Sequence, residues 1–524
     1  MRVVTGVAVA ALLAAGVGQP AAAQSLSLAV SASPTSVDPH YHTFTPNNSL
    51  AAHIFAPLID MDATQRPIPA MAESWKLIDD RTWEIKLRPG IKFHTGEPFT
   101  PEDVAYTLDR VPKVANSPGS FSIYTKAITG VQIVDATTLR LTTAGVYPML
   151  PIDLTQIHIL PRSLGPNPLT EDFNSGKNAV GAGPFKLQSY RSGEKAELMR
   201  DDAHWGPKPH WQRVTYRMIP NDGGRTAALL SGDVAFIEAV PTTDAAKLRT
   251  DKRVTLAETN SLRIVYLFLD RSRTGATPFV SGPDGETLDR NPLNDLRVRQ
   301  ALSVAINRNA IVDRVMESAA LPQGQLLPPG TYSYVPDFPP PAYDPERAKK
   351  LLADAGFPKG LRMTLHGPSD RYVNDGKIIQ AVGQMWTRIG VQTQVEAITW
   401  SNYVARASRL EFSAFLVGWG SSSGEASNPL RALLSTYDPA KGRGTTNRGR
   451  YSNPQLDAMV EQAMGTADDG ARERLLQQAT RLAMEDVAFI PLHTQKNIWA
   501  MKPGLSYAAR ADEDTRAAEL RPTK

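Results

Sequence analysis

Residues 412–430, Phe-Ser-Ala-Phe-Leu-Val-Gly-Trp-Gly-Ser-Ser-Ser-Gly-Glu-Ala-Ser-Asn-Pro-Leu, decide how the rest of the chain is read. Phe412, Phe415, Leu416 and Val417 make an apolar run long enough for one buried strand, which Gly418 ends. Trp419 then leads into a loop of small residues that closes at Pro429. Gly418, Gly420 and Gly424 let backbone amides come close to a solute, and Trp419 supplies an apolar wall. An ordinary strand-to-helix loop with a core tryptophan uses the same residues, so this stretch by itself marks a candidate pocket and no more.

Gly420-Ser421-Ser422-Ser423-Gly424 also fits the Gly-x-Ser-x-Gly pattern of a nucleophile elbow, with His493 downstream as a general base. That is the second reading, an exported serine hydrolase using Ser422 and His493. An elbow needs a helix directly after its serine, so that the following amide helps build the oxyanion hole. Here Gly424 and Pro429 put the expected helix start near Asn428, too far along.

With 524 residues the chain is too long for one ordinary core, so two or three lobes are expected. Apolar residues are 42% and charged residues 21%, the balance of a soluble globular protein. Met1-Arg2, an apolar run from Val3 to Val17 and the Ala21-Ala22-Ala23 site read as an export leader cleaved after Ala23. There is no cysteine, which removes disulfides, thiol chemistry, Cys-ligated metals and a lipid-modified N-terminal Cys. Together these features predict an exported, unanchored protein of a bacterial periplasm. Removing Arg2 with the leader leaves 56 basic and 53 acidic residues, no footprint for nucleic acid. The nine histidines lack metal-binding spacing, so neither a metal nor a cofactor is expected.

Working outward, Leu26–Val30 alternates as a half-buried strand, and the Pro/Ser/Thr/Asn-rich loop after it carries Phe44 and Thr45 as pocket candidates. A helix is expected over Asn48–Leu58. Thr100-Pro101-Glu102-Asp103 starts another, with an N-cap hydroxyl, proline at the first position and acids facing the dipole. Gly181-Ala182-Gly183-Pro184 marks a place where the chain changes lobe. Strands are expected at Val214–Ile219, Thr255–Leu256 and Arg263–Leu269, with helices between them, the pattern of an α/β lobe. Asp295–Arg314 reads as one amphipathic helix whose Arg297, Arg299, Arg308 and Arg314 form a solvated face. A final strand is expected near Phe489–His493.

The order of motifs resembles a known family. Phe93-His-Thr-Gly-Glu-Pro-Phe-Thr-Pro-Glu-Asp-Val-Ala-Tyr-Thr-Leu-Asp-Arg110, Gly181–Leu187 with Asp201–Gly206, Leu229–Asp233, Leu296–Leu302 with Ala305–Arg308, and Ala348–Phe357 resemble segments of the extracellular solute-binding proteins of family 5. These are the periplasmic dipeptide- and oligopeptide-binding proteins of ABC importers.

The resemblance implies an α/β fold of the periplasmic binding protein-like class, type II, cluster C, with two main lobes, a hinge and an extra third lobe. Lobe I would comprise 25–66, 181–267 and 490–524, lobe II 67–180, and lobe III 268–489. It implies a monomer that binds a peptide or peptide-like small molecule and passes it to an ABC permease and its ATPase, with no chemistry done. A member specific for a nickel complex, an opine or a glutathione-like solute is an alternative.

Trp400 and Trp419 match the spacing of two tryptophans that frame the peptide site in oligopeptide binders. Ser422 stands where many members carry the acid that grips a free amine, so either Glu425 reaches in or the ligand presents no free α-amine there. Asp370-Arg371-Tyr372 resembles the segment that supplies a carboxylate-binding arginine, a role the planar Arg371 guanidinium suits. The implied ligand set is Trp419, Gly420, Ser421, Ser422, Glu425, Trp400 and Arg371, with Phe44, Thr45 and His493 as further members.

Overall fold

The computed structural model describes residues 24–523 apart from Gly119 and Ser422. The leader read at 1–23 and the candidate Ser422 therefore lie outside the described residues.

Two long antiparallel strands, Thr255–Leu269 and Ile490–Met501, run through the middle of a mixed twelve-stranded sheet. On one side Phe236–Ile237 pairs with Met501 and Ala500 and leads on to Ser25–Val30, Arg213–Met218, Lys195–Arg200 and Phe185–Arg191. On the other side Ala414–Gly420 pairs with Arg263–Leu269 and leads on to Leu361–Pro368 and Val391–Ile398. Each long strand thus begins in one half of the sheet and ends in the other. Their ladder is interrupted between Asn260 and Ile264, where the halves meet.

The alternation in the crossing strand explains its sequence. Ile264, Tyr266 and Phe268 pack into one core with Phe415, Tyr403 and Leu476, while Val265, Leu267 and Leu269 pack into another with Leu302, Ile379 and Trp386. Helices cover both faces, so the strand reads as a continuous apolar run. A third core gathers Leu28, Phe185, Val214, Phe236 and Trp499 around the other half of the sheet. A fourth is built on a separate four-stranded sheet, Ala72–Asp79, Thr82–Leu87, Thr138–Thr143 and Ile128–Asp135, with Val104, Leu108 and Val111 closing it.

The helix Pro101–Arg110 starts as its sequence directs, with the Asp103 carboxylate accepting from the Thr100 N–H at 2.8 Å. Its last residue, Arg110, donates to Asp38 at 2.6 and 3.1 Å, a buried pair that fastens the small sheet's helix to the loop after the first strand. Gly181 and Gly183 mark a close crossing of chains: a Cβ on Gly181 would sit 2.1 Å from the Ile54 carbonyl oxygen, and one on Gly183 2.5 Å from the Ile54 carbonyl carbon.

Four sequence expectations change. Thr255–Leu256 and Arg263–Leu269 are one strand, because the polar segment between them pairs with 494–500 at the junction, where no core imposes an apolar period. The last strand runs on to Met501, its polar Thr494–Asn497 stretch crossing the junction before Ile498–Met501 enters the cores of the other half. The helix expected at Asn48–Leu58 is Thr45–Ile54, with Pro46 in its first turn. The expected single helix Asp295–Arg314 is broken: Leu296–Val304 ends at Ala305, and Asn307 caps a new start by accepting from the Ala310 N–H.

Two of that segment's arginines are buried rather than solvated. Arg299 donates to the carbonyls of Leu293, Asn294 and Asp486, and Arg308 to those of Ser303 and Pro491. Each satisfies backbone carbonyls at or near the ends of elements.

Candidate functional site

A cavity of about 810 Å³ opens where the two sheet halves and the small lobe meet. Thr43, Thr45 and Asn48 line it from the first loop and helix, Arg88 from the small lobe, and Arg263, Gly420 and Ser421 from the crossing strand and its neighbour. The C-terminal segment adds Asp512, Glu513, Asp514 and Arg516.

Strand pairing brings Gly420 opposite Arg263, and a Cβ on Gly420 would lie 3.5 Å from the Arg263 guanidinium. That guanidinium donates to Glu513 at 3.2 and 3.3 Å. Ser421 is tied down by its N–H to the Leu262 carbonyl at 3.2 Å and by its hydroxyl to the Glu425 carbonyl at 2.9 Å. The other acids are matched to arginines: Arg510 donates to Asp512 at 2.7 Å and Arg516 to Asp60 at 2.8 Å. Burial, and then the neighbouring Asp512 carboxylate, push the Asp514 carboxyl up to about 7.

The structure distributes the expected ligand residues over several places. Thr45, Gly420 and Ser421 line the cavity together. Trp419 stands next to them, half-buried, its Nε1 donating to Asn428 at 2.7 Å. Phe44 stacks on His42 at 5.1 Å between ring centres. Arg371 is exposed and lies over Tyr372 and Trp400, 5.4 Å from each ring centre.

Glu425 is buried against Arg472 and lines a second cavity of about 730 Å³ with Tyr332, Trp75 and Trp83. His493 is wholly buried in the sheet, opposite Val265 and Pro322, with neither ring nitrogen hydrogen-bonded to a described residue. Burial holds its imidazole down at about 4. Past Ser423 and Gly424 the next helical residues are Ser427–Pro429.

The glycines of the loop do different jobs. Gly418 is approached by the Tyr372 ring, 2.8 Å from where its Cβ would stand, and Gly424, at φ +67°, by Gln65. Of the three, Gly420 alone lines the large cavity.

Sequence reasoning passed over Arg263, Glu513 and the acids beside it. Their only local signal is the charged run Arg510-Ala-Asp-Glu-Asp-Thr-Arg516, which is indistinguishable from a solvated tail until Arg510, buried with its carboxylate partners, is seen. Chemically the cavity offers both signs of charge over a partly apolar wall, a setting for capturing a zwitterionic or acidic solute. Among the described residues no group of three or more His, Asp or Glu side chains is placed to hold a metal ion.

Residues 66–441 match the family described as bacterial extracellular solute-binding proteins, family 5 middle. Similar curated proteins include heme-binding protein A of Haemophilus influenzae, 28% identical and aligned over 86% of this chain and 83% of its own length. The glutathione-binding protein GsiB of Shigella boydii is 27% identical over 93% of this chain and 92% of its own. Among solved structures, the periplasmic binding protein DppA of Helicobacter pylori in complex with the peptide STSA superposes with a TM-score of 0.76 at 23% identity, covering 95% of this chain and 98% of that one.

Proposed function

The chain belongs to the bacterial extracellular solute-binding proteins of family 5, and from that membership we propose a periplasmic receptor of an ABC importer that takes a peptide-like solute at the cavity between Thr45 and Gly420. The observation that carries this reading is the junction itself. Arg263, Gly420 and Ser421 line the cavity at the point where two continuous strands pass between the halves of the sheet. Two strands crossing side by side make a hinge, since small dihedral changes at the Asn260–Ile264 irregularity swing one half against the other. Solute that prefers the closed arrangement shifts the population toward it by that difference in affinity.

In this reading the lobes are 25–66 with 181–267 and 490–524, 67–180, and 268–489. The cavity volume suits a di- or tripeptide, and the facing arginines and carboxylates suit a zwitterion better than an apolar solute. Relatives are named for heme and for glutathione, and the latter is itself peptide-like. Trp419, Gly420, Ser421 and Thr45 are the proposed contacts, with the Arg371–Trp400 stack at the edge. Export with cleavage after Ala23, the lack of a lipid anchor, a monomeric state, delivery to a permease and the absence of chemistry on the solute belong to the same proposal.

Native mass spectrometry of residues 24–524 recovered from the producing cell's periplasm tests it. A retained peptide-like mass, with scattering that shows compaction on adding it back, is the expected result. A scattering curve that no tightly bound solute alters, or fluorophosphonate labelling lost in Ser422→Ala, would overturn it.

A further inference from the structure

Of the ion pairs around the large cavity, the one between Arg263 and Glu513 is built differently from its neighbours. Asp512 is held by Arg510 at 2.7 and 3.1 Å, and Asp60 by Arg516 at 2.8 and 3.1 Å, so each has one short contact. Both arginines also serve other partners: Arg510 donates to Glu519 and to the Met61 carbonyl, and Arg516 lies 3.5 Å from Asp514. Arg263 and Glu513 meet at 3.2 and 3.3 Å, beyond the usual 2.7–2.9 Å of a charge-assisted pair. Among the described residues the Arg263 Nη1 has no acceptor and Arg263 no other carboxylate partner.

Position sharpens the contrast. Arg263 belongs to the crossing strand, within its Asn260–Ile264 irregularity, and its guanidinium covers Gly420, the one loop glycine that faces the cavity. Its side chain is 18% exposed, so the charge is largely shielded from water and a carboxylate arriving from the cavity meets a little-solvated guanidinium. Glu513 is 31% exposed and sits at φ +72°, an uncommon backbone region for a glutamate that a defined side-chain position here accompanies. A long carboxylate with that access to water leaves its partner at little desolvation cost. Asp512 and Asp60 are each held in addition by one shorter contact, at 2.7 and 2.8 Å.

We infer that Arg263 is a specificity-determining residue that takes a carboxylate of an acidic peptide-like solute, and that Glu513 is the internal carboxylate which the solute displaces. The inference rests on the large cavity being the solute site. A neutral solute must leave the Arg263–Glu513 pair in place over Gly420 or strand a little-solvated guanidinium, and the penalty for the second falls on affinity. An acidic solute exchanges one carboxylate for another and frees Glu513 to water. Selectivity for acidic cargo therefore comes from competition, and weakening the competitor strengthens binding.

The test is calorimetry on residues 24–524 with reduced glutathione and the matched peptides Ala-Glu, Ala-Gln and their C-terminal amides. The wild-type protein is expected to prefer acidic members over matched neutral ones by on the order of tenfold or more. Arg263→Gln is expected to erase that preference, Arg263→Lys to keep part of it, and Glu513→Gln to tighten acidic members several-fold. Thermal melts of each variant separate these effects from misfolding. A preference that survives Arg263→Gln, or Glu513→Gln binding that is unchanged, overturns the inference. So does a wild-type protein that binds neutral members as well as acidic ones, or that binds none of the panel while carrying a different solute from its own periplasm. In that last case the receptor reading stands. The receptor reading itself falls on the outcomes named for it above, a scattering curve that no tightly bound solute alters or fluorophosphonate labelling lost in Ser422→Ala.

Discussion

The Glu425 carboxylate accepts from Arg472 at 2.5 Å, with the two side chains 2% and 5% exposed, beneath the loop that carries Trp419, Gly420 and Ser421. The Ser427 hydroxyl donates to the second oxygen of Glu425, and the Arg472 guanidinium lies over Tyr332, 4.9 Å from the ring centre. Arg472 also reaches the Met149 sulfur of the small lobe at 3.4 Å. The pair therefore anchors the loop from below and ties it to two other elements.

Glu425→Gln leaves Arg472 buried without its counter-charge, and urea unfolding is expected to show a loss of about 3–5 kcal/mol. Replacing both, Glu425→Gln with Arg472→Met, is expected to recover most of that loss, because no stranded charge remains. A double variant as unstable as the single one would mean that the loop depends on the hydrogen bonds rather than on the charge balance.

Near this pair, Asp153 gives stability a pH dependence of known sign. Burial pushes its carboxyl up to about 7, with the Tyr147 hydroxyl donating to it at 2.7 Å, Arg431 drawing it back down and Glu425 adding to the rise. The fold favours the protonated acid, so the contribution is complete at low pH and is lost as pH rises from the unfolded value near 4 through 7. Asp153→Asn removes that loss. The variant should gain on the wild type by up to about 1.4 kcal/mol per pH unit across that window. Melting temperatures of both proteins at pH 5 and pH 8 check it.

His493 works in the opposite direction. Burial holds its imidazole at about 4, so the fold requires the neutral ring, and stability falls as pH drops from the ordinary value of 6.5 through 4. His493→Leu is expected to unfold less readily than the wild type at pH 4.5 relative to pH 7.5. His53 and His158, also held at about 4 by burial, still titrate in the variant, so the acid weakness shrinks without vanishing.

Gly181→Ala and Gly183→Ala place a methyl 2.1 Å from the Ile54 carbonyl oxygen and 2.5 Å from the Ile54 carbonyl carbon. Neither backbone can move without opening the joint between the first helix and the small lobe, and a loss of about 1–3 kcal/mol or more is expected for each. Gly145→Ala, with nothing within 4 Å of its Cβ, is expected to be neutral or slightly stabilising. Chemical denaturation of the three variants side by side makes the comparison.

The signals readable without coordinates were local ones. The alternation of Ile264–Leu269, the Thr100–Asp103 helix start, the apolar run before Gly418 and the glycines at 181 and 183 each report the geometry of a few consecutive residues, and strand and helix periods act over that range. They also carried the family's order of motifs. The crossing strands were half legible: Glu258-Thr259-Asn260-Ser261 breaks the apolar period because it passes between cores, so the chain looked like two strands where it is one.

What only the tertiary structure decided is the fate of the charges. Arg299 and Arg308 resemble a solvated face because their partners, the carbonyls of Asp486 and Pro491, lie far along the chain. Glu425 looked available to a ligand until Arg472 was seen against it. The cavity joins Thr43 and Thr45, Arg263, Gly420 and Ser421, and Asp512 to Asp514 with Arg516, from segments that no local pattern connects. A charged side chain's burial is set by the groups it meets across the fold, and that is a property of long-range packing, which periodicity and spacing do not encode.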